Sequence, residues 1–185
     1  MQQQQHGNAS DAVAFHIRNT ETADLPEVMD LYAHARSFMA EQGNPNQWGP
    51  SSWPPRKLIE ADIAADKSFV AQTPDGRIAA VFFYDAGQDV EPTYAHISDG
   101  AWMGDGNYGV VHRIASAHIA RGAGEACLRW ALARSPHLRI DTHPDNIPMR
   151  SLVAKLGFKH CGTIYVYEDK LPRMAFEHLP SAICS

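Results

Sequence analysis

The sequence predicts an α/β fold, and three observations carry that expectation. An apolar segment at 110–115 runs toward a turn holding Gly122 and Gly124, and a stretch rich in helix formers, 126–133, follows at once. A second strand-like segment, 138–142, precedes a helix pattern that opens at Asn146 and closes on Leu156, Gly157 and Phe158. Two apolar runs, 68–72 and 77–84, flank Pro74, Asp75 and Gly76, the signature of a hairpin.

The remaining elements follow in order. Residues 1–12 form a Gln-rich polar tail with too little apolar surface to order itself, and 13–185 read as one domain without a linker or repeat. Residues 14–18 alternate as a short strand, and Thr20 or Thr22 is placed to cap the helix after it. Leu25, Val28, Leu31, Tyr32, Ala35, Phe38 and Met39 recur at helical spacing, up to a stop at Gly43. Residues 43–55 form a loop dense in Pro, Gly and Asn. Its Trp48 and Trp53 either fold under to cap the core or line a pocket. A second amphipathic helix spans about 55–65, with Leu58, Ile59 and Ile63 inward. Residues 85–106 are polar and irregular, with a strand piece expected near 94–97 and aromatic Tyr94, Trp102 and Tyr108 in or beside them. After Phe158, segments 159–167 and 174–178 read as a strand pair that closes the sheet.

Composition narrows the function classes. The 185 residues suffice for one substantial core, and 44% hydrophobic with 20% charged residues is ordinary for a globular chain. A formal net charge of −5 disfavours a nucleic-acid partner, which would call for a basic excess. No apolar run approaches a membrane span, and the first residues lack the basic-then-apolar order of a secretion signal. Cys127, Cys161 and Cys184 are odd in number and show no metal spacing, which fits a reducing, cytoplasmic setting. The ten histidines show no His-x-x-x-His spacing, so no metal is expected.

A Gly-bearing turn that opens a helix presents main-chain N–H groups without intrahelical partners, and the helix dipole adds positive potential there. Such a turn suits a phosphate. Strand, Gly-x-Gly turn, second strand, Asn-started helix and Leu-Gly-Phe close together resemble the GNAT superfamily of N-acetyltransferases, most specifically over 110–158. The resemblance implies a mixed, mostly antiparallel sheet with helices on both faces, splayed around an acetyl-CoA cleft. It implies that the amides of Arg121, Gly122, Ala123, Gly124, Glu125 and Ala126 hold the pyrophosphate. Ile114, Ala115 and Ser116 then offer main-chain groups to the pantetheine arm, and Asn146 lies near the cofactor. Two positions depart from the family pattern. Ile119 stands where a Gln or Arg is usual, and Val153 where a Tyr often serves as general acid.

Acyl transfer from a thioester to an amine needs a base, because a free alkyl ammonium has a pKa of about 10.4. It also needs a donor for the developing oxyanion, and a main-chain N–H on the strand ending at Ala115 is a candidate. Asp141 matches a carboxylate that is the base in parts of the family, and supporting the helix cap is its other reading. His112 titrates in the right range when unperturbed and otherwise serves as a structural hydrogen-bonder. His143 reads as a surface residue. Tyr165, or Tyr167, could replace the acid missing at Val153, with packing as the other role. Phe38, Trp48 and Trp102 are candidates for the acceptor pocket. The expected activity is transfer of an acetyl group from acetyl-CoA to a primary amine of a small molecule, amino acid or peptide in a ternary complex. The rival expectation is a non-catalytic acyl-CoA-binding regulatory module on the same fold. A homodimer stays open.

Overall fold

A computed structural model describes residues 14–49, 51–167 and 170–180. The tail at 1–12 and Cys184 lie outside the described residues. Seven strands form one sheet in the order β1-β2-β3-β4-β5-β7-β6. They are β1 (His16–Asn19), β2 (Ser68–Gln72), β3 (Ile78–Gly87), β4 (Tyr108–Ser116), β5 (Leu138–Thr142), β6 (Lys159–Tyr165) and β7 (Pro172–His178). The helices are α1 (Leu25–Glu41), α2 (Arg56–Ala64), α3 (Ala123–Arg134) and α4 (Ile147–Lys155). All strand pairs are antiparallel except β4 with β5. No helix among the described residues is long and apolar enough to cross a membrane.

The strand period of two sends neighbouring residues to opposite faces. Val70 and Val81 join Leu25, Val28, Leu31, Tyr32 and Ile59, under α1 and α2. Ala71 and Phe82 join Cys127, Leu128, Ala131 and Val153, under α3 and α4. The expected arrangement of helices on both faces is therefore present. A third cluster joins Tyr94, Tyr108, Val110, Ile164 and Ala175, so segment 88–106 covers part of the sheet where no helix lies.

Two features of this frame shape the site. Strands β4 and β5 are in register only at Gly109 with Leu138 and Val110 with Arg139, and the ladder ends there. Beyond that point the sheet is split. In β4, Val81 faces Ala115 while Phe83 faces His112, so Phe82 stands opposite two residues, Arg113 and Ile114. This bulge places Arg113 at φ +51°, an uncommon conformation for a residue with a Cβ. Tyr32 on α1 steadies it by donating its hydroxyl to the Arg113 carbonyl at 2.9 Å. The Arg113 guanidinium reaches buried Asp62 on α2 at 2.8 Å and lies over the Phe83 ring.

Segment 88–106 is tied down by a buried carboxylate. Glu177 on β7 is fully buried and accepts from Arg139 Nε and His137 Nε2, both at 2.7 Å, and from the main-chain N–H of Met103 and Gly104. The Arg139 guanidinium lies over the rings of Trp102 and Tyr108 and donates to the Gly104 carbonyl.

Several expectations need correction. Neither Thr20 nor Thr22 caps α1. The Thr20 hydroxyl bonds that of Ser68 at 2.7 Å, and Thr22 lies within a 3₁₀ turn, Thr22–Asp24, that leads into the helix. Residues 92–95 form a 3₁₀ turn rather than a strand, and Ser98 alone bridges to Thr163. On α2 the buried positions are Ile59 and Asp62, while Leu58 and Ile63 are only partly covered.

Candidate active site

The split between β4 and β5 opens onto a cavity of about 360 Å³. Strand β4 contributes Val111–Ile114, β5 contributes Ile140–Thr142, and the loop after α1 contributes Trp48 and Trp53. A narrower groove of about 160 Å³ lies between the end of β4 and α4. Met39, Trp48, Ile114, Asn146 and Met149 line both spaces, so the two adjoin along one side of β4.

The groove gathers five of the residues expected to hold a cofactor. Ile114, Ala115, Ser116, Gly124 and Asn146 line it. Gly122 caps α3 at φ +87°, and Ala126 N is bonded back to the Gly122 carbonyl at 2.9 Å. The N–H groups of Ala123, Gly124 and Glu125 precede this first intrahelical donor and are available at the positive end of the helix, whereas the Ala126 amide, expected to share in holding a pyrophosphate, is spent within the helix. Gly124 is informative because nothing in the fold requires it. A Cβ there would meet only Leu152 Cδ2, at an ordinary 3.6 Å. The absent side chain instead keeps the groove open beside the turn, which fits a bound diphosphate. The Glu125 side chain is taken up by Lys155 and Arg129, so it leaves its own amide uncovered by a competing carboxylate. Asn146 caps α4 through Met149 N at 3.1 Å and donates to Gln47 Oε1 at 3.0 Å.

At the cavity floor, His112 lies between two carboxylates. Its Nε2 is 3.0 Å from Glu91 Oε2 and its Nδ1 is 3.6 Å from Asp141 Oδ1. The Glu91 contact is an ion-pair approach rather than an aligned hydrogen bond, since Nε2 is buried without a well-directed acceptor. Glu91 is fixed by the N–H and hydroxyl of Thr93 at 3.0 and 2.7 Å. Asp141 accepts from the Tyr94 hydroxyl at 2.8 Å. Burial alone would raise the Glu91 carboxyl, but His112 and Thr93 overcome it and hold it at about 2. Burial, then the Asp141 charge, pushes the Tyr94 phenol well above its ordinary value, so it remains a donor.

The structure thus brings His112, Asp141 and Trp48 together, and it adds Glu91 and Tyr94, which the sequence reading did not propose for the site. Glu91 sits two residues before buried Thr93 in an irregular segment, where no periodicity marks it. Three expected residues fall elsewhere. Trp102 donates to the Tyr94 carbonyl and stacks on Arg139, and it does not line the cavity. Phe38 lines the groove against His118, with ring centroids 4.0 Å apart, rather than the cavity. Tyr165 is exposed at the end of β6, whereas Tyr167 lines the cavity. His143 is buried rather than on the surface, because its Nδ1 accepts from Asp145 N within the β5–α4 turn. Val153 lies on the buried face of α4 and has no titratable group, so no acid acts from that position. Cys161 is buried with its thiol raised by burial and by Glu177, which opposes a nucleophilic role.

A mixed sheet split at one parallel pair, above an amide-presenting turn, defines an acyltransferase architecture, and comparison with solved structures agrees. An acetyltransferase of the GNAT family from Streptococcus agalactiae 2603 superposes with a TM-score of 0.78 at 29% identity, over 91% of this chain and 98% of that one. A protein described as histone acetyltransferase HPA2 and related acetyltransferase, from Corynebacterium glutamicum ATCC 13032, shares the fold with a TM-score of 0.62 at 22% identity, over 92% and 99%. A ribosomal-protein-alanine N-acetyltransferase from Brucella melitensis does so with a TM-score of 0.59 at 18% identity, over 89% and 99%. No protein-family model and no curated protein matches the chain. The chain has the fold of the GNAT-family acetyltransferases.

Proposed function

We propose that the protein is an N-acetyltransferase that moves the acetyl group of acetyl-CoA to a primary amine by direct attack in a ternary complex. One observation carries this reading: the groove beside the Gly122–Gly124 turn adjoins a cavity whose floor holds a histidine between two carboxylates. Acetyl-CoA, when bound, supplies an activated thioester. The turn amides at Ala123, Gly124 and Glu125 would hold its diphosphate, and Ile114, Ala115 and Ser116 would flank its pantetheine arm.

His112 is the proton acceptor in this reading. The ionised Glu91 beside Nε2 favours the tautomer with its proton on Nε2, which leaves the Nδ1 lone pair to receive a proton from the acceptor ammonium, directly or through water. The resulting imidazolium then lies between Glu91 and Asp141, where both charges stabilise it. Tyr94 holds Asp141 in place. The carbonyl and guanidinium of Arg113 are tied to Tyr32 and Asp62, which fixes the bulge that aims Ile114 and Ala115 along the groove. Holding both reactants in adjoining spaces supplies orientation as well.

The test is CoA release from acetyl-CoA across a panel of primary amines. His112→Ala is expected to lower kcat/KM by about 100-fold or more with the CoA dissociation constant unchanged. Tight acetyl-CoA binding without turnover on any amine would identify the alternative, a non-catalytic acyl-CoA-binding module, which the lack of an acid at Val153 favours.

A further inference from the structure

We infer that the acceptor is a compact amine that binds as a cation and carries no carboxylate next to its amino group. This deepens the acetyltransferase reading and is built on it. The charge on the cavity lining decides the point. Glu91 and Asp141 share one imidazole between them, and their side chains are only 20% and 10% exposed. The floor therefore stays negative whether His112 is neutral or protonated.

Two cationic residues also line the cavity, and neither is open to an anion. The Arg113 guanidinium is 2.8 Å from Asp62 Oδ2 and covered by the Phe83 ring. Arg173 is buried and already partnered. An α-carboxylate beside the reacting amine would face Glu91 or Asp141 across a partly dehydrated gap, with the Arg113 guanidinium already neutralised by Asp62. An ammonium there meets the opposite situation.

The walls and mouth define the rest of the acceptor. Trp48, Trp53, Tyr167 and Met39 supply apolar and aromatic surface, which accommodates a hydrocarbon body and attracts a cation to its faces. The volume of about 360 Å³ is near the lower end for small-molecule sites. The loop over the cavity is held on two sides. Gln47 Oε1 accepts from both Asn44 and Asn146, at 2.8 and 3.0 Å, and Arg36 donates to the Trp53 carbonyl at 2.9 Å. A small free amine fits this enclosure better than a segment of a folded protein.

The experiment uses two matched pairs on the full chain: 2-phenylethylamine with phenylalanine, and pentylamine with norleucine. Each pair differs only by the carboxylate. Binding to the CoA-saturated protein is read from tryptophan fluorescence, since Trp48 and Trp53 line the cavity. Turnover is read from CoA release in acetyl-CoA. The expected result is that both amines bind about 30-fold or more tightly than their amino acids and show the same order in kcat/KM. Glu91→Gln narrows that gap. Equal or tighter binding of the amino acids overturns the inference. Binding selectivity without CoA release from any of the four leaves the charge preference standing and removes acetyl transfer instead.

Discussion

Replacing Glu91 by Gln keeps the shape of the side chain and removes its charge. In the folded protein the Glu91 carboxyl is drawn down to about 2, against burial, by His112 and the Thr93 donors. A free glutamate titrates near 4.3, and at about 1.4 kcal/mol for each pH unit the difference is worth about 3 kcal/mol. The folded value is depressed, so this stability is complete above about pH 4.3 and disappears as pH falls toward about 2. The side chain is only 20% exposed, so solvent screening leaves most of that figure. Glu91→Gln has no such proton to gain. Urea unfolding of both proteins, at pH 5 and again at pH 3, reads the effect below the ordinary range of imidazoles, whose own titration is coupled to Glu91 through His112. The stability advantage of the wild type over Glu91→Gln should shrink by about 2 kcal/mol between those pH values. Parallel loss of stability in the two proteins would refute the electrostatic account of the His112 site. A kinetic arm accompanies it: kcat/KM should fall by about 10- to 100-fold, because the imidazolium loses one of its two flanking charges.

Three further substitutions test other parts of the structure. Gly124→Ala should fold with a melting temperature as high as the wild type or a few degrees higher, since its Cβ meets only Leu152 at 3.6 Å and alanine favours the helix, yet weaken CoA binding by about tenfold or more in calorimetry. Glu177→Ala leaves Arg139, His137 and two main-chain donors without their shared acceptor, and denaturant unfolding should report a loss of about 3–5 kcal/mol. Asn146→Ala removes both the α4 cap and the tether to Gln47. Stability should drop by about 1 kcal/mol, and the acceptor KM should rise as the loop over the cavity loosens.

The regular elements were legible because their causes are local. Apolar runs marked β2 and β3, Asp75 and Gly76 marked the turn between them, and Asn146 marked the start of α4 through its own side chain. The turn at Gly122 and Gly124 was legible for the same reason. What stayed hidden depends on pairs far apart in sequence. Asp62 looks like a polar residue on an amphipathic helix until Arg113 meets it. Glu177 alternates within a strand, and nothing near it announces Arg139, His137 and Met103 N. Glu91 and Tyr94 reach the floor from a segment without periodicity, and only the sheet brings them to His112 and Asp141. Trp102 drew attention as an aromatic in an irregular stretch, but its indole N–H is spent on the Tyr94 carbonyl.

Titration calorimetry with CoA and with pantetheine, compared on the wild-type chain, tests the role of the α3 turn most directly. If the amides at Ala123, Gly124 and Glu125 hold the diphosphate, CoA gives a saturable one-to-one heat, and pantetheine, which lacks that group, binds about tenfold or more weakly. Equal affinities for the two, or no heat with CoA, would contradict the account.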